Sequence, residues 1–296
     1  MPKTKISFTL GTLLDEARRR LSEAKVDDPA LEARVLVEHF TGTKRIDSIT
    51  RPASPVETSA VDAVLSAIEQ RREGMPIYRS LGYREFYGLK LLMSPETLEP
   101  RPDTETLVEL ALPVVQRIAE QKGGCRILDL GTGTGAIALA LLSVVERSIA
   151  VGTDISREAL ATARRNSDIH GLGARFTTLL SNWLESVDGR YDIIISNPPY
   201  ISAADMETLP REVRQHDPEI ALDGGSDGLL PYREIASGAH KHLSEVGLIA
   251  LETGYDQKEA VAQIFAAEGY TLLSARRDLG GRDRAMLFAP AASGWI

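Results

Sequence analysis

The sequence predicts an α/β fold, with a doubly wound, mostly parallel sheet of seven strands preceded by a small helical bundle and a β-hairpin connector. Apolar residues recur at helical spacing as far as about residue 73, and strand-like runs punctuated by glycine follow them. From about residue 95, strands alternate with helices, which is typical of a parallel sheet covered by helices. We therefore expect a helical domain over residues 1–75, a connector over residues 76–94 and an α/β domain over residues 95–296.

The first part is predicted to consist of helices that pack on one another. Asp28-Pro29 is typical of a helix start, with Asp28 as the N-cap and Pro29 as the first helical residue. No cluster of His, Cys or paired acids in this part indicates chemistry, so we expect it to recognise a partner or to cover a site elsewhere. The apolar positions that repeat at helical spacing are Leu10, Leu13, Leu14, Ala17, Leu21, Leu31, Val35, Leu36, Val61, Val64, Leu65 and Ile68.

The predicted sheet follows a short hairpin. Gly74-Met75-Pro76 ends the helical pattern, and residues 77–93 have the composition of strands joined at Gly82 and Gly88. Further along, apolar runs indicate buried strands, and the last two runs, joined through Gly280-Gly281, are expected to form an antiparallel edge hairpin. The predicted strands are Arg126–Leu130, Ile149–Thr153, Phe176–Leu180, Asp192–Ser196, Leu248–Leu251, Thr271–Arg276 and Ala285–Ala289, and helices are predicted at Ala136–Val145 and Arg157–Asn166.

The composition is typical of a globular protein with a buried core, since 43% of the 296 residues are hydrophobic and 26% are charged. No apolar run reaches the length of a membrane span, and the N-terminus lacks an apolar signal core. Cys125 is the only cysteine, so no intrachain disulfide is possible, and we expect this residue to be structural. These features favour a cytoplasmic location and no membrane partner.

The excess of acidic over basic side chains argues against binding to duplex DNA. The first 75 residues hold 12 basic and 12 acidic side chains, so the remaining 22 basic and 30 acidic side chains carry the whole formal net charge of −8. Proteins that bind duplex DNA normally present a basic face.

A glycine-rich loop after the first strand of the sheet indicates a cofactor site. Asp129-Leu130 leads into Gly131-Thr132-Gly133-Thr134-Gly135 and then into a helix. Asp154 ends the next strand, where a carboxylate can accept hydrogen bonds from ribose hydroxyls. The glycine spacing departs from the dinucleotide fingerprint, and an acid beside the loop can bind the ammonium group of S-adenosylmethionine. The loop alone leaves both cofactors open.

Two further strand ends complete the predicted site. After the third strand, Trp183 can lie beside an adenine ring, or it can be an ordinary core or rim aromatic residue. After the fourth strand, Asn197-Pro198-Pro199-Tyr200 must end the ladder, because consecutive prolines cannot continue it. An amide and an aromatic ring on this stiff turn can grip a planar, hydrogen-bonding group, although a simple strand-ending turn is the alternative.

A set of short segments spread over the chain carries a family resemblance. They are Leu98–Glu105, Asp129–Gly135, Ser196–Ile201, Val213–Glu219, Ala221-Leu222 and Gly225–Gly228. With the helical domain and the hairpin, they resemble the class I S-adenosylmethionine-dependent methyltransferases with a Rossmann-like sheet. Within that class the chain is similar, over nearly its whole length, to the HemK family of protein-(glutamine-N5) methyltransferases, which modify peptide chain release factors.

The resemblance implies S-adenosyl-L-methionine as cofactor, S-adenosyl-L-homocysteine as product, release factors as protein partners and no metal. It implies that Asn197, Pro198 and Tyr200 are catalytic, with the Asn197 oxygen and the Pro198 carbonyl accepting the two amide hydrogens of the target glutamine and the Tyr200 ring stacking on it. The implied substrate-binding residues are Asn197, Pro198, Pro199, Tyr200 and Arg101. The implied cofactor-binding residues are Asp129, Gly131, Thr132, Gly133, Thr134, Gly135, Asp154, Asn182, Trp183 and Asn197.

Several positions depart from the family pattern or allow a structural role. Asn182 stands where many relatives have Asp, and Thr253 stands where some relatives have His, so Thr253 is assigned no role. Arg101 can line the substrate pocket, clamp acidic residues or form an ion pair between connector and catalytic domain. His216 is expected to be structural or to contact a partner. Asp103 and Glu105 are expected to be acids at a helix N-terminus.

Other functions compete with methylation of a release factor. The nearest alternative is methylation of a glutamine in a ribosomal protein, and the next is adenine-N6 methylation of DNA, since an adenine amino group suits the same Asn-Pro-Pro-Tyr segment after base flipping. A non-catalytic partner-binding protein and a nicotinamide dehydrogenase complete the alternatives.

Overall fold

A computed structural model of the protein describes residues 8–291 and residue 293. The chain divides into two compact units, Met1–Gly82 and Tyr83–Ile296. Among the described residues, no helix combines the length and apolarity needed to cross a membrane. In the same part of the chain, no group of His, Cys, Asp and Glu side chains is arranged to hold a metal ion.

The first unit is a bundle of helices, as the apolar spacing predicts. Thr9 caps the first helix by accepting a hydrogen bond from the Thr12 N–H, and Asp28 caps the second by accepting one from the Leu31 N–H at 3.0 Å. Pro29 is the first residue of that second helix, as predicted. The helices are α1 (Leu10–Glu23), α2 (Pro29–Thr41), α3 (Arg45–Thr50), α4 (Thr58–Arg72) and α5 (Ile77–Leu81).

Helix α5 corrects the prediction that strand structure begins at residue 77. Ile77 and Leu81 are both buried and lie four residues apart, which is one helical turn. Pro76 precedes the helix, and Gly82 ends it with a left-handed φ of +73°. A run this short gives the same apolar pattern whether it folds as a strand or as a single helical turn.

The second unit contains the hairpin and the predicted seven-stranded sheet. The hairpin pairs β1 (Tyr83–Phe86) with β2 (Leu89–Leu92). The strands of the sheet are β3 (Arg126–Leu130), β4 (Ile149–Asp154), β5 (Phe176–Leu180), β6 (Tyr191–Ser196), β7 (Leu243–Glu252), β8 (Tyr270–Arg277) and β9 (Asp283–Pro290). The helices are α6 (Glu105–Lys122), α7 (Ala136–Val144), α8 (Arg157–Ile169), α9 (Ala203–Met206), α10 (Arg211–His216), α11 (Leu230–Ala239) and α12 (Lys258–Ala267), with 3-10 helices at Pro102–Thr104 and Glu219–Ala221.

The strand order creates a ligand-binding crevice. The sheet runs β5-β4-β3-β6-β7-β9-β8, and β3 to β7 are parallel. The chain moves outward from β3 to β5 and then returns to β6 on the other side of β3, so the strand order reverses between β3 and β6. In open α/β sheets, ligands bind at the carboxyl ends of the strands beside such a reversal. The predicted antiparallel hairpin of β8 and β9 is confirmed, with β9 placed between β7 and β8.

Both faces of the sheet are covered, as a doubly wound fold requires. Ile193 and Ile195 of β6 belong to a core that α6 and α7 help to form, whereas Ile194 belongs to a core formed with α11 and α12. Successive side chains of a strand point to opposite faces. The uninterrupted apolar run of β6 therefore fills two cores at once, and its end is held firmly at the crevice.

Candidate active site

A cavity of about 350 Å³ lies at the carboxyl ends of β3, β4, β5 and β6. Its lining includes Gly131–Thr134, Asp154, Trp183 and Asn197, which come from the four strand ends that the sequence predicts to meet. The segments before α6 and before α11 contribute further parts of the wall, together with residues of β1, α7 and α11. Parallel packing of the four strands is what brings together residues that are far apart along the chain.

The glycine loop after β3 depends on conformations that favour glycine. Gly131, Gly133 and Gly135 have φ values of +66°, +54° and +83°. The Thr132 N–H donates to the Thr153 carbonyl at 2.8 Å, which ties the loop to β4. A Cβ on Gly131 would lie 3.8 Å from the Trp183 ring, and a Cβ on Gly133 would meet nothing within 4 Å. The loop thus leaves its backbone open to a ligand.

Asp129 lies beneath this loop and does not line the cavity. Its Oδ2 accepts hydrogen bonds from the Thr132 hydroxyl at 2.7 Å and from the Ala138 N–H at 3.4 Å. Its Oδ1 is buried without a partner among the described residues. Burial raises the pKa of Asp129 to about 7, although the two hydrogen bonds act in the opposite direction. In this position Asp129 supports the loop from below.

Asp154, at the end of β4, joins the loop to the cavity. Its Oδ2 accepts the Gly133 N–H at 2.9 Å, and its Oδ1 accepts the Ser156 N–H at 2.9 Å. Burial raises its pKa above the ordinary value, against the effect of these backbone hydrogen bonds. Each carboxylate oxygen keeps capacity for a further hydrogen bond, since a carboxylate can accept about four.

The end of β5 places an aromatic ring and an amide at the cavity. Trp183 has a φ of +46°, a strained value for a bulky residue, and strain of this kind is concentrated at functional sites. The side-chain nitrogen of Asn182 donates to the Glu185 carboxylate at 3.0 Å. This contact leaves the Asn182 oxygen available as an acceptor, the role that an Asp would have at this position.

Asn197 follows β6 and lines the cavity together with Pro199, while Pro198 is buried. The Asn197 side-chain nitrogen donates to the Thr104 hydroxyl oxygen at 3.2 Å. Thr104 is itself buried and is the last residue of the 3-10 helix before α6. The structure therefore anchors Asn197 through a segment 93 residues earlier in the chain.

Tyr200 is placed differently from the other residues of its segment. It packs against the core that contains Tyr232 and is not part of the cavity lining. Burial raises the pKa of Tyr200 to about 12, and the nearby charge of Glu252 adds to this effect. Its backbone carbonyl accepts the Gln257 side-chain amide at 2.8 Å. Stacking of Tyr200 on a substrate amide remains a prediction.

Glu252 is a site residue that the sequence reasoning missed. It ends β7, is 1% exposed, and its Oε2 is buried without a partner among the described residues. Burial raises its pKa to about 7, while hydrogen bonding from Thr104, the Arg284 charge and hydrogen bonding from Asn197 lower it. The available signal was an acid directly after the apolar run of β7.

Arg101 lines the cavity and forms an ion pair with Asp217, with 2.6 Å between Nη2 and Oδ2. The Asp217 side chain is 3% exposed, so the contact secures the segment after α10 at the edge of the cavity. Arg101 thus clamps an acid, one of its predicted roles. His216 precedes Asp217 and is not part of the cavity lining.

Asp103 and Glu105 make contacts beyond those of ordinary acids at a helix start. Asp103 pairs with Arg284 of β9 at 3.5 Å. Glu105 accepts the backbone N–H of Tyr87 at 2.8 Å, which ties the β1–β2 hairpin to α6.

Both units of the chain match known protein families. Residues 12–82 match the family described as PrmC N-terminal domain, and residues 111–216 match the family described as Methyltransferase small domain. A release factor glutamine methyltransferase of Agrobacterium fabrum is 50% identical over 280 residues, which cover 95% of this chain and 97% of that protein. A protein of the same name from Rhodospirillum rubrum is 40% identical, covering 97% of this chain and 87% of that protein.

A solved structure supports the fold. The crystal structure of a methyltransferase from Pyrococcus furiosus superposes with a TM-score of 0.52 at 20% identity, covering 76% of this chain and 96% of that one. The Rossmann-like methyltransferase sheet expected from the motifs is thereby confirmed. Because relatives at 40% and 50% identity align with nearly its whole length, the chain belongs to the family of release factor glutamine methyltransferases.

Proposed function

We propose that this protein transfers a methyl group from S-adenosyl-L-methionine to the side-chain amide nitrogen, N5, of the glutamine in the Gly-Gly-Gln motif of peptide chain release factors. The observation that carries the proposal is that Asn197 lines the same cavity as the glycine loop and Asp154. A group suited to a glutamine amide thus adjoins groups suited to a nucleoside cofactor. The names of relatives that align along the whole chain support the choice of protein substrate.

The residues of the cavity fit the proposed cofactor. Space beside Gly133 that a Cβ would occupy is open, so the backbone can be approached closely. The Asp154 carboxylate can accept from ribose hydroxyls, the Trp183 ring offers a face for adenine, and the Asn182 oxygen can accept from the adenine amino group. Asp129 acts indirectly, by holding the loop.

The protein's own part in the reaction is to orient the target nitrogen. A glutamine amide nitrogen is a weak nucleophile, because its lone pair is delocalised into the carbonyl. When bound, S-adenosyl-L-methionine supplies a methyl group already activated by a positively charged sulfur, leaving S-adenosyl-L-homocysteine. The Asn197 oxygen and the Pro198 carbonyl accept the two N–H groups and turn the lone pair toward the methyl carbon. As the nitrogen–carbon bond forms and the carbon–sulfur bond breaks, the nitrogen becomes positively charged and then releases one of its two protons to solvent. Positioning of this kind can supply several kcal/mol, up to about 7–11 kcal/mol in well-oriented reactions.

The N-terminal helical unit is the part for which we propose a recognition role. It contains equal numbers of acidic and basic side chains, and its sequence shows no cluster of residues that predicts catalysis. We propose that it contacts the protein substrate, with the hairpin of β1 and β2 as the connector to the catalytic domain. A cytoplasmic location, where release factors act, belongs to the same proposal.

The test is methyl transfer from labelled cofactor to a purified release factor. We expect label at the glutamine of the Gly-Gly-Gln motif and none when that glutamine is replaced by alanine. A ribosomal protein and duplex DNA serve as competing acceptors in parallel reactions. Label that appears in either competitor and not in the release factor would overturn the proposed substrate. Failure to bind the cofactor in calorimetry would overturn catalysis altogether.

A further inference from the structure

Three polar groups from distant parts of the second unit converge behind the cavity. The Asn197 side-chain nitrogen donates to the Thr104 hydroxyl oxygen at 3.2 Å. Glu252 follows Leu251, which pairs with Ser196 in the neighbouring strand, so Glu252 lies beside Asn197, and its Oε2 is buried without a hydrogen-bond partner among the described residues. Thr104 is 4% exposed and Glu252 is 1% exposed, so water does not substitute for these contacts. Buried polar groups of this kind are costly unless they are paired.

The arrangement settles which way the Asn197 amide faces. A side-chain amide has donors only on nitrogen and acceptors only on oxygen, and the two atoms point in different directions from the same carbon. With the nitrogen turned toward the Thr104 hydroxyl, the oxygen faces away from that hydroxyl. Since Asn197 lines the cavity, the oxygen is the atom presented there. A target amide nitrogen requires an acceptor at this point, and a flipped Asn197 would present a donor instead.

We propose that Glu252 and Thr104 are positioning residues, which hold the Asn197 side chain with its nitrogen against the protein and its oxygen toward the target amide. The inference rests on the proposed methylation of a glutamine. The ionised Glu252 carboxylate is the competent form, because it accepts hydrogen bonds and donates none. A negative charge behind Asn197 also strengthens its oxygen as an acceptor for the positive charge that develops on the target nitrogen.

The charge state of Glu252 depends on every group around it. Arg284 of β9 favours the ionised form, whereas Asp103 disfavours it. Arg284 is shared, since Asp278 also pairs with it at 3.0 Å. The titratable groups that face Glu252 are Asp103, Tyr200, Tyr232 and Arg284. Burial is the main cause that raises the pKa of Glu252 to about 7, so its ionisation falls in a pH range that enzyme assays cover.

The first arm of the test measures kcat and the KM for release factor. Thr104→Val removes the hydroxyl at nearly constant volume, and we expect kcat to fall about 10- to 100-fold, the scale of a lost positioning or electrostatic contact. Thr104→Ser restores the hydroxyl and should return kcat to within about threefold of wild type. The matched control is Thr253→Val, because Thr253 is fully buried beside Glu252 and its hydroxyl has no partner among the described residues. A wild-type kcat for Thr104→Val would overturn the inference.

The second arm is the pH profile of kcat. The wild-type kcat should rise through about pH 7, where Glu252 ionises. In Glu252→Gln this rise should disappear and kcat should remain low, because the amide retains an acceptor but carries no charge. A purely structural role for Glu252 would lower activity without changing the shape of the profile. Persistence of the rise in Glu252→Gln would overturn the role assigned to the carboxylate.

A third arm does not require activity. The side-chain amide resonances of Asn197, assigned by their disappearance in Asn197→Ala, should shift with pH in the wild-type protein and stay constant in Glu252→Gln. Resonances that do not respond to pH, or that move equally in both proteins, would overturn the inference. A wild-type enzyme that labels no glutamine would overturn the proposed function, and these resonances would still decide whether Glu252 orients Asn197.

Discussion

The buried carboxyl of Asp129 predicts an unusual dependence of stability on pH. Its pKa is raised from 3.8 to about 7, chiefly by burial. The protein therefore gains stability from the neutral carboxyl below about pH 4, and loses this gain as pH rises toward 7. At about 1.4 kcal/mol for each factor of ten in proton affinity, the whole change corresponds to an upper bound of about 4 kcal/mol. Roughly 3 kcal/mol of it falls between pH 5 and pH 8.

The perturbation is Asp129→Asn, which keeps an oxygen for the Thr132 hydroxyl and the Ala138 N–H but cannot ionise. Urea unfolding at constant ionic strength, without cofactor, gives the free energy of unfolding at each pH. We expect the free energy of unfolding of the wild-type protein to fall between pH 5 and pH 8. The free energy of unfolding of the Asn variant should fall by about 3 kcal/mol less over the same range, because the variant lacks the ionisation of Asp129. Glu252 contributes a similar slope in both proteins, because its pKa is also raised to about 7.

The matched control is Asp192→Asn. Hydrogen bonds from Lys122, the Arg126 backbone and Ser244 lower the pKa of Asp192 and together outweigh the burial that raises it. The stability contributed by Asp192 is therefore present at neutral pH and lost only under acidic conditions. This variant should be less stable than wild type at pH 7, but its slope between pH 5 and pH 8 should be unchanged. If the Asp129→Asn curve ran parallel to wild type over that range, the reasoning about Asp129 would be refuted.

Three further predictions concern the cavity. Asn197→Ala should lower kcat at least about 100-fold, a loss expected of a key orienting group, while thermal unfolding stays close to wild type; near-normal turnover would remove Asn197 from the mechanism. Asp154→Asn should weaken cofactor binding about tenfold in calorimetry, as one charge-assisted acceptor is lost, and unchanged affinity would contradict the ribose assignment. Arg101→Ala and Asp217→Asn should each raise the KM for release factor, and the double variant should be no worse than either alone because both break one ion pair; additive effects would show that the pair does not act as a unit.

The framework of the sheet could be predicted because buried parallel strands leave a strong local pattern. The run in β6 is apolar at every position that packs between two cores, and the prolines after Asn197 mark its end. The extent of β7 was underestimated, since the strand runs over Leu243–Glu252 and its first half contains the polar residues Ser244 and Glu245. Leu243 pairs with Tyr191, and the Ser244 hydroxyl donates to Asp192 of the same neighbouring strand. A local apolar pattern does not contain such tertiary contacts.

The contacts that orient the site could not be predicted, because their partners are distant in sequence. Asn197 and Thr104 are 93 residues apart, and no spacing rule relates them. The left-handed backbone of Trp183 was equally hidden, since aromatic residues rarely adopt it. Asp129 was expected at the ligand, and that role stays a prediction. Its hydrogen bonds to the Thr132 hydroxyl and the Ala138 N–H could not be read from the sequence.

The position of β9 between β7 and β8 has a consequence for how the catalytic edge is assembled. β7 remains an open sheet edge until the terminal hairpin docks, and pairing of distant segments is the slow part of folding. That hairpin brings Arg284, which lies near Glu252 and donates to the Thr253 carbonyl. A nascent chain can therefore complete its nucleoside-binding half while its amide-orienting half is still unfinished. We therefore expect a variant with a damaged hairpin to retain cofactor binding and to lose methyl transfer.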